Sequence, residues 1–107
     1  MLNYKLFLDD LRMSAKEGWI VARSYNDAVT VIRTLGIPRT ITFDHDLGDE
    51  KTGYDLAKFI IEYDMLHNDI DDTFDFSVHS ANPIGAKNIE SILNNYIKFK
   101  NDKTVNS

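Results

Sequence analysis

In the stretch Thr40-Ile41-Thr42-Phe43-Asp44-His45-Asp46-Leu47-Gly48, a β-branched and aromatic run ends abruptly in two carboxylates that flank an imidazole. Such a run predicts a strand. Successive side chains of a strand point to opposite faces, so we expect Asp44 and Asp46 on one side and His45 on the other. Ionisable groups at a strand end add nothing to a core, whereas ligands bind there in open α/β sheets. The stretch therefore predicts an α/β sheet with a functional site where this strand ends.

Two further strand-like runs end in polar side chains in the same way. Tyr4-Lys5-Leu6-Phe7-Leu8 is followed by Asp9-Asp10, and Phe74-Asp75-Phe76-Ser77-Val78 is followed by His79-Ser80. The carboxyl ends of parallel strands meet at one edge of a sheet. We therefore expect the three strand ends to contribute to a single site.

The alternation of strands and helices favours a parallel sheet with helices packed on it. Trp19–Arg23 is the remaining strand, and Ser24 and Gly36 have the chemistry of a helix N-cap and C-cap. The expected fold is α/β: a parallel sheet of about four strands with helices on both faces. One domain is predicted over residues 1–99, followed by a flexible C-terminal tail over 100–107.

Composition narrows the class of protein. With 107 residues, of which 43% are hydrophobic, the chain suffices for one domain with a small core. A net charge of −5 argues against a broad nucleic-acid surface, which needs rows of Lys and Arg. The absence of Cys excludes disulfides and thiolate chemistry.

No apolar run is long enough to cross a membrane. We expect a cytoplasmic protein with no membrane partner, and a short acidic chain also suits a phage-encoded accessory protein acting in a bacterial host.

The acidic residues at the strand ends predict a metal site. Adjacent carboxylates such as Asp9 and Asp10 repel each other unless a cation neutralises them, and hard oxygen ligands suit Mg²⁺ or Mn²⁺. Asp44 and Asp46 are the other candidate ligands. The structural alternative is that one residue of the pair makes a turn while the other is solvated, and that Asp46 is a turn residue.

The two His residues at strand ends, His45 and His79, are candidates for a general acid and a general base. They could equally be metal ligands. With Asp44, they make up the predicted catalytic group.

Phosphate-binding residues are predicted on the same edge. Ser80 and Asn82 precede a helix that Pro83 begins, and the N–H groups of a helix N-terminus attract anions. Arg12 and Arg23 follow strand ends and could clamp a phosphate. The structural alternatives are a helix cap for Asn82 and surface ion pairs for the two Arg residues.

The layout resembles the receiver domains of response regulators, which implies a truncated, receiver-like (flavodoxin-like) form of the four-stranded parallel sheet. Asp9-Asp10, Asp44 and Ser80 match the acidic pair, the third-strand Asp and the fourth-strand Ser or Thr of those domains. Receivers also carry a helix after the first strand and a Lys on a fifth strand. The sequence shows neither feature, which disfavours phosphotransfer to Asp44.

A closer resemblance is to the cyclic-phosphate-processing receiver domains, over about residues 4–97. The matching motifs are Leu8-Asp9-Asp10-Leu11-Arg12, Gly18-Trp19, Arg23, Asp44-His45-Asp46-Leu47-Gly48, Thr52-Gly53-Tyr54, His79-Ser80-Ala81-Asn82-Pro83, Gly85 and Asn88. The resemblance implies a hydrolase of the cyclic phosphodiesterase type in RNA or nucleotide processing. Its substrate would be a nucleotide or an RNA end carrying a cyclic phosphate. The alternative is a receiver-derived module that binds a nucleotide or a partner protein without catalysis.

Overall fold

Short strands alternate with longer helices along the chain. The structure is a computed structural model that describes residues 3–8, 18–44, 53–79 and 83–105, with only the backbone of Asp44 and of residues 103–105. The strands are β1 (Lys5–Leu8), β2 (Ile20–Ala22), β3 (Thr40–Asp44) and β4 (Asp75–His79). The helices are α1 (Tyr25–Leu35), α2 (Gly53–His67) and α3 (Pro83–Val105).

The four strands form one sheet in the order β2-β1-β3-β4, and every neighbouring pair is parallel. Leu6 pairs with Ile20 on one side and with Ile41 on the other, and Ile41 pairs in turn with Phe76. The predicted fold class is confirmed in this four-stranded parallel sheet with its three helices.

The hydrophobic core lies between one face of the sheet and the helices. On β1 and β3, Leu6, Leu8, Ile41 and Phe43 are fully buried. These residues share one side of the pleat, because alternate residues of a strand point the same way. All three helices supply buried residues to the same cluster: Ala28, Ile32, Leu56, Ala57, Ile60, Ile89 and Leu93. The core is thus one layer between the sheet and a row of helices.

The three described helices pack on the same face of the sheet, whereas helices on both faces were predicted. Helix α2 contacts both α1 and α3, and all three reach the single core cluster. The strand order explains this placement. The connections from β2 to β3 and from β3 to β4 run in the same direction across the sheet, and right-handed crossovers in one direction put their helices on one face.

The last helix extends into the segment for which a flexible tail was predicted. Helix α3 continues to Val105, and the Lys100 ammonium donates to both carboxylate oxygens of Asp64 and to the Ile70 carbonyl oxygen. Beyond Lys100 the sequence has no apolar stripe, so periodicity alone could not reveal this contact. In the part of the chain that the structure describes, no helix is both long and apolar enough to cross a membrane.

Helix α1 begins and ends where its capping residues predict. The Ser24 hydroxyl accepts a hydrogen bond from the Asp27 N–H at 3.1 Å. At the other end the Gly36 N–H donates to the Ile32 carbonyl at 2.7 Å, with φ of 88° at Gly36. Only Gly adopts such a φ without strain. The local chemistry of these two residues therefore sets the length of the helix.

Replacing Gly36 by Ala should destabilise the domain by about 1–3 kcal/mol, through a strained φ and a steric contact. A Cβ at this position would lie 2.9 Å from Oδ2 of Asp69, the oxygen that accepts the Ile37 N–H. Urea unfolding measures the change.

The matched control is Thr34→Ala, an exposed position two residues earlier, where we expect a change within about 0.5 kcal/mol. Equal stabilities of the two variants would contradict the strain at Gly36.

Candidate functional site

The predicted site residues that the structure describes, Arg23, Asp44 and His79, lie at or next to the carboxyl edge of the sheet. Because the strands are parallel, β1, β2, β3 and β4 all end at this edge. Strand β3 ends with Asp44 and β4 ends with His79, while Leu8 and Ala22 end the other two. The topology thus gathers at one edge the strand ends that the sequence singled out.

Asp44 and His79 are direct neighbours in this arrangement. They are Cα partners in the register of β3 and β4, at the last position of both strands. Neighbouring strands lie about 4.8 Å apart. The structure therefore brings two of the three predicted catalytic residues side by side at the level of the backbone. His79 is exposed to solvent.

Arg23 lies at the same edge but further from Asp44. It directly follows β2, and β1 separates β2 from β3. The residue is exposed. The phosphate contact of Arg23 stays a prediction, and it would require the side chain to reach across β1.

Helix α3 begins at the same edge, since Pro83 follows the end of β4 by only a few residues. The partial positive charge at a helix amino end attracts anions. A phosphate group at the carboxyl edge would therefore lie near the favourable end of the α3 dipole.

The remaining predicted site residues fall outside the residues that the structure describes, and they stay predictions. They are Asp9, Asp10, Arg12, His45, Asp46, Ser80 and Asn82. In sequence, Asp9 directly follows the end of β1, His45 follows β3 and Ser80 follows β4.

The predicted metal site has a donor set of suitable chemistry. Among the described side chains there is no group of three or more His, Asp or Glu residues that could hold a metal ion. Of the four predicted ligands, the structure gives only the backbone of Asp44, at the carboxyl edge. Four carboxylates without a thiolate fit Mg²⁺ or Mn²⁺ better than zinc.

The sequence did not predict a pair of hydroxyl groups that lies on β3 and β4, two residues before Asp44 and His79. Thr42 and Ser77 are Cα partners, and their hydroxyl oxygens lie 3.1 Å apart. Each lies two residues before a predicted site residue, hence on the same side of its strand as that position. Because residues two apart in a strand share a face, counting back two residues from Asp44 and from His79 would have found the two hydroxyl groups. They extend the polar surface from the edge onto the sheet.

Comparison with protein families shows what the chain is similar to. The family model described as "Cyclic-phosphate processing Receiver domain" matches residues 4–95. This range contains all four strands, helices α1 and α2, and most of α3. No curated protein and no solved structure matches the chain.

Proposed function

The chain belongs to the family of cyclic-phosphate processing receiver domains, and from that membership we propose that it is a metal-assisted phosphoesterase. Its proposed substrate is an RNA end or a nucleotide that carries a cyclic phosphate. The observation that carries the proposal is the pairing of Asp44 with His79 at the carboxyl edge of the sheet. An acidic residue and an exposed His at paired backbone positions suit phosphate ester chemistry.

In the proposed reaction, water attacks the phosphorus atom while the bond from phosphorus to one ring oxygen breaks. One proton leaves the attacking water, and another is needed on the departing sugar oxygen. We assign these two transfers to His45 and His79, which act as base and acid. The product is an acyclic phosphate monoester with a free hydroxyl group on the sugar.

Other residues would hold the phosphate in place. Ser80, Asn82 and the amino end of α3 would donate hydrogen bonds to its non-bridging oxygens, and Arg12 and Arg23 would add positive charge. Donors fixed in place before the reaction stabilise the charge that develops in the transition state.

The proposed metal ligands are Asp9, Asp10 and Asp44, with Asp46 as a further ligand or as a carboxylate that orients one. When bound, Mg²⁺ or Mn²⁺ supplies positive charge to the phosphoryl group and lowers the pKa of a bound water. The carboxylates in turn become stable neighbours, because the cation removes their mutual repulsion.

A hydrolysis screen of the purified chain tests the proposal. The substrates are 2′,3′-cyclic nucleotides, RNA with a cyclic-phosphate end and cyclic dinucleotides, each with Mg²⁺, with Mn²⁺ and with a chelator. Metal-dependent turnover of one class would support the phosphoesterase and identify its substrate. A ligand that raises the melting temperature but is not turned over would instead favour a binding module without catalysis.

Substituting His79 by Ala should lower turnover by about 10²–10⁴-fold, the usual contribution of a positioned acid or base. The melting-temperature shift produced by Mg²⁺ should persist, because His79 is not among the proposed metal ligands. Steady-state kinetics and thermal melts with and without Mg²⁺ measure both effects.

The matched control is His67→Ala. His67 is exposed and is the last residue of α2, which runs away from the carboxyl edge of the sheet. We expect the His67→Ala variant to turn over the substrate as fast as the original chain does. Full activity of His79→Ala would remove His79 from the catalytic group.

A further inference from the structure

Exposed apolar side chains are concentrated on α2 and α3. Among the residues that the structure describes, the exposed large hydrophobic side chains all belong to these two helices: Tyr54, Met65, Leu66, Ile84 and Phe99. Single exposed apolar residues are ordinary on a protein surface. What matters is therefore whether these side chains lie together. Helix periodicity and the contacts of neighbouring residues place all of them except Leu66 in one groove.

One flank of α2 carries three of the apolar side chains of this groove. Tyr54, Ile61 and Met65 share that flank, because positions i, i+7 and i+11 of a helix lie above one another. Phe59 lies on the opposite flank, where the Arg33 guanidinium of α1 is 5.6 Å from the centroid of its ring. The flank with Tyr54 and Met65 therefore faces the other neighbour of α2, which is α3.

One flank of α3 carries the other apolar side chains. Ile84, Ile92 and Phe99 are eight and seven residues apart and lie on one side of the helix, next to Tyr96. The Tyr96 hydroxyl donates to the carboxylate of Asp64 on α2, so this flank of α3 faces α2. We call the space between the two flanks the α2–α3 groove and define it by Tyr54, Ile61, Met65, Ile84, Ile92 and Phe99.

The α2–α3 groove has the length and the apolar surface that a third helix needs. Ile84 and Phe99 are about 22 Å apart along α3, at 1.5 Å per residue. Ile84 is 72% exposed, Met65 is 66% exposed and Phe99 is 60% exposed. Apolar side chains that lie together and remain in water mark interaction sites. Because a groove between two helices accepts the apolar face of another helix, a partner helix of about 15 residues would span it.

The cations beside the α2–α3 groove contrast with the net charge of −5 of the whole chain. Lys58 is exposed on α2, and its ammonium nitrogen lies 5.6 Å from the centroid of the Tyr54 ring. Lys87 and Lys98 are exposed on α3 and are eleven residues apart, so they form a second row next to Ile84. Both sides of the groove thus present ammonium groups to an incoming helix.

Most carboxylates of the two helices lie away from the α2–α3 groove. Asp55 and Glu62 are seven residues apart on the side of α2 that faces α1, where Glu62 lines a cavity between those two helices. Glu90 lies on the opposite side of α3 from Phe99, nine residues earlier. Asp102, one turn beyond Phe99, is the exception among the described side chains. The edges of the groove therefore carry a local excess of positive charge.

We propose that the α2–α3 groove binds an amphipathic helix of another protein, with acidic residues on both sides of its apolar stripe. The stripe covers Met65, Ile84 and Phe99, and the flanking carboxylates lie beside Lys58, Lys87 and Lys98. A second copy of this chain fits less well, because two like-charged rows of Lys would then meet. The proposal is independent of the proposed catalysis, since the groove lies on the helices and not at the carboxyl edge of the sheet.

Two synthetic helices that differ only in charge test the proposal. Each is a peptide of about 16 residues, held helical by a side-chain staple, with Leu along one stripe. The flanking positions carry Glu in one peptide and Lys in the other. By fluorescence anisotropy we expect the Glu peptide to bind at least about tenfold more tightly than the Lys peptide. The affinity of the Glu peptide should also fall as salt is added.

Variants of the chain locate the binding site. Phe99→Ser should weaken binding of the Glu peptide by at least about tenfold, because a large apolar side chain is lost from the interface. The matched control is Leu66→Ser: Leu66 is 82% exposed but lines the cavity between α1 and α2, so the affinity should not change. Lys98→Glu should weaken binding by about threefold, whereas Lys5→Glu on β1 should have no effect. Melting temperatures show that each variant is folded.

The outcomes distinguish the possible occupants of the groove. Equal affinities for the two peptides, no binding of either, or equal effects of Phe99→Ser and Leu66→Ser would overturn the proposal. A dimer in sedimentation that Phe99→Ser dissociates would assign the groove to a second copy instead. Binding to phosphatidylserine vesicles that depends on Phe99, without binding of the Glu peptide, would assign it to a membrane surface. Turnover of a cyclic phosphate should be unchanged in Phe99→Ser, so the phosphoesterase is tested separately.

Discussion

The Asp44→Asn variant is expected to lose metal-dependent turnover by more than about 100-fold, since even residues that only orient metal ligands contribute about 10–100-fold. Asp44 is the last residue of β3 and the register partner of His79, at the edge where the other proposed ligands follow their strands. Asn keeps the shape of the side chain and removes its charge. The rise in melting temperature on adding Mg²⁺ should shrink with the turnover.

The matched control for this variant is Asp75→Asn. It is the same substitution in an exposed residue at the first position of β4, at the opposite edge of the sheet. Its activity and its response to Mg²⁺ should equal those of the original chain. A fully active Asp44→Asn protein would exclude Asp44 as a metal ligand, whereas a loss of activity with a normal Mg²⁺ response would assign it a role other than metal binding.

Much of the fold follows from local sequence because its signals are local. The β-branched run that ends at Asp44 forms β3, and Ser24 and Gly36 bound α1 through hydrogen bonds within a few residues. The neighbourhood of Asp44 and His79 also followed, since parallel strands of similar length end at a common edge.

The distribution of helices between the two faces did not follow, because it depends on strand order. A stripe of apolar residues along a helix shows that the helix packs on a sheet, but it does not show on which face of the sheet the helix lies. The order β2-β1-β3-β4 makes two successive crossovers run the same way, and their handedness then decides the face. The contact of Phe7 with Trp19 has the same origin, since it exists only because β1 and β2 are neighbours.

The end of α3 was missed for a different reason. The predicted tail began at Lys100, a charged residue in a polar stretch, and nothing in the nearby sequence gives it a partner. Its partner Asp64 lies on α2, where a carboxylate within an apolar stretch is a signal for a buried polar contact. A buried carboxylate at Asp64 predicts a cationic partner from another part of the chain.

The partner of Lys100 is deeply buried and fully hydrogen-bonded. The Asp64 side chain is 1% exposed, against 23% for that of Lys100, and the ammonium lies 2.8 Å from Oδ2. The Ile70 N–H donates to Oδ1 at 2.6 Å, and the Tyr96 hydroxyl donates to Oδ2 at 2.5 Å. The cluster thereby joins α2, the loop before β4 and the last turns of α3.

Replacing Lys100 by Met should therefore destabilise the domain by about 3 kcal/mol, because it leaves a buried carboxylate without its cation. Met keeps most of the apolar stem of Lys, so lost packing contributes little. Urea unfolding at pH 7 measures the change. The matched control is Lys98→Met on an exposed position of the same helix, for which we expect a change within about 0.5 kcal/mol. Equal stability of the two variants would mean that the end of α3 contributes nothing to the fold.

The pH dependence of the stability that Lys100→Met loses shows whether charge is the cause of the loss. Burial alone raises the pKa of the Asp64 carboxyl, but the hydrogen bonds from Ile70, Lys100 and Tyr96 outweigh it and hold the pKa below its usual value. A carboxyl with a lowered pKa in the folded state stabilises the protein fully above its unfolded value, about 4. That stabilisation is lost as the pH falls through the folded value. Removing Lys100 raises the pKa of Asp64 in the folded variant, so the stability difference between the original chain and Lys100→Met should be full at neutral pH and shrink as the pH falls through the folded pKa values of Asp64 in the two proteins. A difference that stayed constant with pH would assign the effect of Lys100 to packing instead of charge.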